Sequence, residues 1–168
     1  MKLLNIKCFV IIIIMFFSVL CFSSTSNRNL KQNSRLILNI LFLANSYIEK
    51  GRSLNICISG DIDLLKTLDR QSRDLFNFAV YRVKKSNTQK CHALFLGLNS
   101  VLPEKVIINY LKNKTIIMTN NDKKFTRYAV ITFVERANDL YFKVNKKLLD
   151  HFNIEMNSKV LRAAREVI

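Results

Sequence analysis

The chain has 168 residues, 49% hydrophobic and 23% charged, with only 3 Gly and 1 Pro. That composition supplies one substantial core and excludes disorder, collagen-like repeats and multi-domain organisation. The 27 Lys and Arg against 12 Asp and Glu give a net charge of +15, which favours anionic contacts. The basic residues form no block, however: the tightest pairs are Lys84-Lys85, Lys123-Lys124 and Lys146-Lys147, without the interleaved aromatics that a single-strand binding groove requires. No nucleic-acid partner is expected, and an AT-rich genome accounts for the abundance of Lys, Asn and Ile.

At the N-terminus, Lys2 and Lys7 precede an uncharged apolar run from Cys8 to Phe22, with Ser18 its one polar residue. The run has the length of a signal-peptide h-region and falls short of the roughly 20 residues that span a bilayer. Small residues follow at Ser23, Ser24, Thr25 and Ser26. Residues 1–23 are therefore read as a cleavable signal peptide and 24–168 as the exported domain, which starts between about residue 24 and residue 27. Leu20 stands before Cys21 where a lipobox needs a small side chain, so lipidation and an uncleaved membrane anchor are the lesser alternatives.

From Ser34 to Lys50 the apolar positions Leu36, Ile37, Ile40, Leu41, Ala44, Tyr47 and Ile48 keep a helical period, with Gly51 as the stop. Leu54 to Gly60 is a β-rich run, and a helix through Leu64, Leu65, Leu68 and Leu75 leads to a strand near Phe76 to Val83. Lys84 to Lys90 is a polar loop. Cys91 to Leu98 is a nearly continuous apolar run, the pattern of a parallel strand covered on both faces. A helix from about Pro103 to Lys112 and a strand from Thr115 to Thr119 follow. Tyr128 to Glu135 and Leu140 to Val144 flank Ala137-Asn138-Asp139, which reads as an antiparallel hairpin. Asn157 or Ser158 then caps a closing helix whose apolar stripe is Val160, Leu161, Ala164, Val167 and Ile168. The order predicts an α/β fold: a single three-layer Rossmann-like sandwich with a mostly parallel sheet, a C-terminal antiparallel hairpin and a terminal helix.

Such an architecture invites a nucleotide site, but the loops for one are missing. The sequence has no G-x-G-x-x-G and no G-x-x-x-x-G-K-[ST], so no cofactor is expected. His92 and His151 lack metal-site spacing, and Cys91-His92, adjacent in a strand, points its side chains to opposite faces. No catalytic or metal site is read, and the chain is expected not to be an enzyme. Asp61 and Asn99 follow predicted strands at the carboxyl edge where open α/β sheets bind ligands, so they mark a possible ligand crevice. Cys57 and Cys91 are the two cysteines outside the leader. In an oxidising compartment they pair; the other reading is two buried free thiols. The last helix offers a possible interface through Leu161, Ala164, Arg165, Val167 and Ile168.

Four segments in order, LNICISGD at 54–61, CHALFLG at 91–97, ITFVERANDLYFKVN at 131–145 and NSKVLRAAREVI at 157–168, follow the leader and first helix. Together they resemble the YfiR family of periplasmic proteins. The most specific parts are the strand end Phe142-Lys143-Val144-Asn145 and the terminal pattern of Ser158, Leu161, Ala164 and Arg165. Lys50-Gly51 stands where such proteins usually have tryptophan-proline, and Arg127-Tyr128 where they usually have a glycine pair. The resemblance implies a YfiR-like domain over 24–168 and a disulfide between Cys57 and Cys91, because family members commonly carry cysteine at both matching positions. It further implies an exported, non-enzymatic regulator that holds an inner-membrane diguanylate cyclase inactive through its periplasmic part. An outer-membrane, peptidoglycan-associated lipoprotein would release it, a sensor kinase could replace the cyclase as partner, and a homodimer is the further association that the resemblance implies. A small-molecule or nucleotide sensor at the strand-end crevice is the alternative, followed by a secreted basic effector binding nucleic acid or anionic lipid.

Overall fold

A computed structural model describes residues 34–40, 54–75, 78–83, 90–121, 123–136 and 139–168. The expected signal peptide, the second half of the first helix with Gly51, most of the Lys84 to Lys90 loop and the hairpin tip Ala137-Asn138 lie outside these residues. Within them, 34–40 are helical (α1). The elements that follow are β1 (Leu54–Ser59), α2 (Ile62–Leu75), β2 (Phe78–Arg82), β3 (Ala93–Leu96), α3 (Glu104–Lys112) and β4 (Ile116–Thr119). The C-terminal part adds β5 (Ile131–Arg136), β6 (Asp139–Val144), α4 (Lys146–Phe152), α5 (Ser158–Ala163) and β7 (Glu166–Val167).

The strands form one sheet in the order β2-β1-β3-β4-β5-β6-β7. All neighbours pair in parallel except β5 and β6. The chain leaves β1 in one direction through α2 to β2 and leaves β3 in the other through α3 to β4. Right-handed crossovers then put α2 and α3 on opposite faces, which gives the expected three layers. Leu64 and Leu68 of α2, and Ile107, Tyr110 and Leu111 of α3, are the buried helix positions at i, i+3 and i+4 spacing. Between them β3 and β4 are buried along their whole length, as the unbroken apolar runs require.

Register separates the two faces of the sheet. Ile56, Ala93 and Ile116 are aligned, as are Ile58, Phe95 and Met118, and Met118 meets Ile131 in β5. Antiparallel pairing continues this face through Ile131↔Val144 and Phe133↔Phe142. Its rings stack in series, Phe95 to Phe133 at 6.3 Å and Phe133 to Phe142 at 6.5 Å between centroids. Thr132, Val134, Tyr141 and Lys143 point to the opposite face, where alternation changes from core to surface.

Four local expectations are corrected. The terminal helix stops at Ala163; Ala164 is already extended, with φ −68° and ψ 136°, and Glu166–Val167 form β7 against β6. Arg165 N–H donates to Phe142 O at 3.0 Å and Ile168 N–H to Val144 O at 2.9 Å. The open edge of β6 supplies backbone partners that one more helical turn lacks, and the β-branched Val-Ile end suits a strand. Arg165, Val167 and Ile168 therefore do not share a helical stripe with Leu161 and Ala164. Second, α4 was not expected; Asn145 caps it by accepting from Leu148 N at 3.1 Å, and Asn153 closes it in the left-handed region at φ 50°. At seven residues it is too short for its periodicity to show in the sequence. Third, β5 begins at Ile131, with Tyr128 and Ala129 in the preceding turn, where their N–H groups bond to Phe125 O. Fourth, Cys91 lies before a bend at His92, and β3 begins only at Ala93.

Candidate interaction surfaces

At the carboxyl edge, the loops after β1 and β3 lie against each other at the point where strand order reverses. Gly97 N–H donates to Ser59 O at 2.8 Å, Asn99 N–H to Gly60 O at 3.3 Å, and the Ser59 and Ser100 hydroxyls are 2.8 Å apart in a buried contact. Gly60 has φ +81°, and a Cβ there would come within 2.0 Å of Ser100 N. The two loops thus meet backbone to backbone beside the β1–β3 switch point, the place where a doubly wound sheet would hold a phosphate. Asp61 and Asn99 are brought onto touching loops, with different roles. Asp61 Oδ1 accepts from Leu64 N at 2.9 Å and caps α2, while burial raises its pKa against the opposing pull of that N–H. The Asn99 side chain is exposed. Lys124 Nζ–H donates to Ser100 O at 2.8 Å, and Thr119 Oγ1–H to Leu96 O at 2.7 Å, so the loop after β4 is tied to the same edge.

Near the amino end, Cys57 and Cys91 form the disulfide, with Cα atoms 5.8 Å apart and both residues buried. Register sets Leu94 opposite Cys57, so a straight β3 would carry Cys91 three residues away and to the other face. The bend at His92 brings Cys91 back over Cys57. It is held from both sides: His92 N–H donates to Asn55 O at 2.9 Å, Asn55 N–H donates to His92 Nδ1 at 2.8 Å, and Thr115 Oγ1–H donates to Cys91 O at 2.9 Å. His92 therefore acts through an unprotonated nitrogen in positioning the bridge.

The third surface lies on the β5–β6–β7 face that points away from the ring stack. A shallow depression of about 330 Å³ there is lined by Thr132, Val134, Tyr141, Lys143, Asn145 and Ile168 among others. Arg165 lies over the Tyr141 ring at 4.5 Å and pairs with Asp139 at 2.8 Å, and Lys143 pairs with Glu166 at 2.7 Å. Of the five residues expected at an interface, Leu161 and Ala164 pack against the core, whereas Arg165, Val167 and Ile168 are exposed along β7. Sequence reasoning did not place Tyr141 and Lys143 at an interface; their alternation with Phe142 and Val144 was the available signal. Arg127-Tyr128 splits its roles, the Tyr128 ring being buried beneath an exposed Arg127 that pairs with Glu104 at 3.2 Å.

The model of the YfiR/HmsC-like family, DUF4154, matches residues 31–165. The chain belongs to the YfiR/HmsC-like family. No curated protein matches it. Among solved structures, a conserved domain protein from Vibrio cholerae O1 biovar El Tor is similar at 11% identity and a TM-score of 0.53, over 83% of this chain and 60% of that one. The ABC domain in complex with L-Trp from Streptococcus pneumoniae is similar at 12% identity and a TM-score of 0.49, over 77% and 61%. At these identities the likeness to the Vibrio structure concerns the fold alone, and this YfiR/HmsC-like chain spans about 60% of the length of the solved chains it resembles. Among the described residues, no helix is long and apolar enough to cross a membrane.

Proposed function

We propose that the chain is an exported, non-enzymatic regulatory binding protein that represses an inner-membrane diguanylate cyclase by binding its periplasmic part, so lowering cyclic-di-GMP. The observation that carries this reading is the family match across residues 31–165, which supports a periplasmic regulator. The docking surface is the β6–β7 face. There Tyr141 and Arg165 form a stacked pair of residue types favoured at interfaces, beside exposed Val167 and Ile168. Regulation then needs no chemistry by this chain: binding one conformation of the cyclase shifts its equilibrium, and a competing partner such as an outer-membrane, peptidoglycan-associated lipoprotein removes that bias.

The test is capture from solubilised membranes combined with measurement of cellular cyclic-di-GMP. The native chain is expected to retain an integral-membrane diguanylate cyclase. Arg165→Glu with Tyr141→Ala is expected to lose it and raise cyclic-di-GMP, with the thermal midpoint lowered by only a few degrees. Capture of no cyclase, or equal capture and unchanged cyclic-di-GMP in the double variant, sinks the reading. A sensor kinase retained instead replaces the cyclase as partner, and association confined to a second copy of the chain makes β6–β7 a homodimer surface.

A further inference from the structure

Among the described residues the large exposed apolar side chains are Ile62, Leu98, Val101, Val167 and Ile168, and the first three belong to a single edge of the molecule. Ile62 begins α2 directly after Asp61; Leu98 and Val101 lie on the loop whose backbone touches Gly60 and Asp61. Leu98 is 67% and Val101 66% exposed. These side chains sit on a braced platform. The contacts from Ser59, Gly60, Gly97, Ser100 and Lys124 described above tie three loops together, so presenting the aliphatics to a partner costs little ordering.

Their chemistry distinguishes the kind of partner. Protein interfaces concentrate binding energy in Trp, Tyr and Arg, with Leu and Val under-represented among hot spots and Lys depleted. This edge has the opposite composition: three aliphatics, with exposed Lys105 in the first turn of α3 and exposed Lys123 on the adjoining loop. Among the described acids nearby, Glu104 is paired with Arg127 and Asp61 is turned into the α2 cap, leaving Asp63 exposed in the first turn of α2. Protruding aliphatics ringed by lysine match an anionic bilayer surface, where the chains enter the acyl boundary and the ammonium groups meet phosphate. Without Lys2 and Lys7 of the expected leader the net charge is still +13, which adds long-range attraction to such a surface. We propose that the carboxyl edge of the sheet seats on an anionic phospholipid surface, with Ile62, Leu98 and Val101 entering the interface and Lys105 and Lys123 contacting headgroups. This contact leaves β6–β7 free and does not depend on the cyclase reading.

The chain contains no tryptophan, so Leu98→Trp introduces a single emission reporter at the edge. Asn113→Trp places the same reporter on an exposed residue at the other end of α3. Comparing two positions in the full chain separates this contact from any binding by the apolar N-terminal run. With vesicles of phosphatidylglycerol and phosphatidylcholine, L98W emission is expected to shift to the blue and be quenched by brominated lipid, while N113W stays unchanged. Pure phosphatidylcholine should give no shift, and 0.5 M salt should reverse it. Adding Lys105→Glu and Lys123→Glu to L98W should raise the lipid concentration for half the shift by about 25-fold or more, at roughly fivefold for each lysine. An unshifted L98W spectrum, an equal shift in N113W, or indifference to lipid charge overturns the proposal. A shift that requires a membrane protein rather than lipid makes the edge a protein interface and overturns it equally.

Discussion

Asp61 carries two opposed terms in one side chain. Its carboxylate caps α2 through Leu64 N–H, yet half-burial makes ionisation unfavourable, and the balance raises its pKa above the ordinary value. The native state thus binds the Asp61 proton more tightly than the unfolded chain does. Its contribution to stability is fully present below the ordinary carboxylate pKa of about 3.9 and is lost as pH rises through the raised value. Asp61→Asn keeps the cap acceptor and removes the charge. Its thermal midpoint at pH 7 is expected to equal or exceed that of the parent, with a flatter pH dependence above about pH 4. Asp61→Ala loses the cap and should cost about 1 kcal/mol by urea unfolding. A large loss in Asp61→Asn at neutral pH would show that the charge itself is needed.

Among the elements, β7 is short and depends wholly on its neighbour. Ile168 accepts from Lys146 N at 2.7 Å and donates to Val144 O at 2.9 Å, so the C-terminal residue brackets both the end of β6 and the start of α4. Ile168→Pro removes the donor while leaving an apolar side chain, and is expected to cost about 1 kcal/mol. Deleting Val167 and Ile168 should cost more and uncover the β6 edge, which promotes strand-to-strand association. Urea unfolding and sedimentation of the two variants check this. An unchanged midpoint in both would mean that β7 is held only weakly.

At the scale of the molecule, the disulfide joins two segments 34 residues apart in sequence, across the centre of the parallel sheet. In the loop-entropy model such a link restricts the unfolded chain by about 4 kcal/mol, a large share of the net stability of a domain this size. Reduction, or the Cys57→Ser/Cys91→Ser pair, is expected to lower the melting temperature sharply and increase proteolysis. Partner binding should fall with the folded fraction, while partner affinity per folded molecule stays the same. Two titratable thiols in the native protein with no reductant-dependent shift in melting would count against a stabilising bridge.

Much of this architecture was legible in one dimension because its determinants are local. LNICIS is rich in β-branched and apolar residues, ALFL and the Ile-Ile-Met of IIMT are continuous apolar runs that fit strands covered on both faces, Asn157 marks the start of α5, and alternation around Phe133 and Phe142 marks the hairpin. What the sequence by itself determined was therefore the α/β class, the succession of most elements and the family. Tertiary structure decided the rest. Arg-Glu-Val-Ile continues a helical pattern in isolation, yet it runs extended with Glu166–Val167 as strand because β6 presents an unpaired edge. Cys91 meets Cys57 because of a bend at His92 that no residue period records. The loops that carry Asp61 and Asn99 touch because Gly60 lets their backbones approach. Hydrophobic period and capping are written within a few residues, whereas edge pairing and loop-on-loop contact depend on segments tens of residues apart, whose proximity exists only once the sheet has formed.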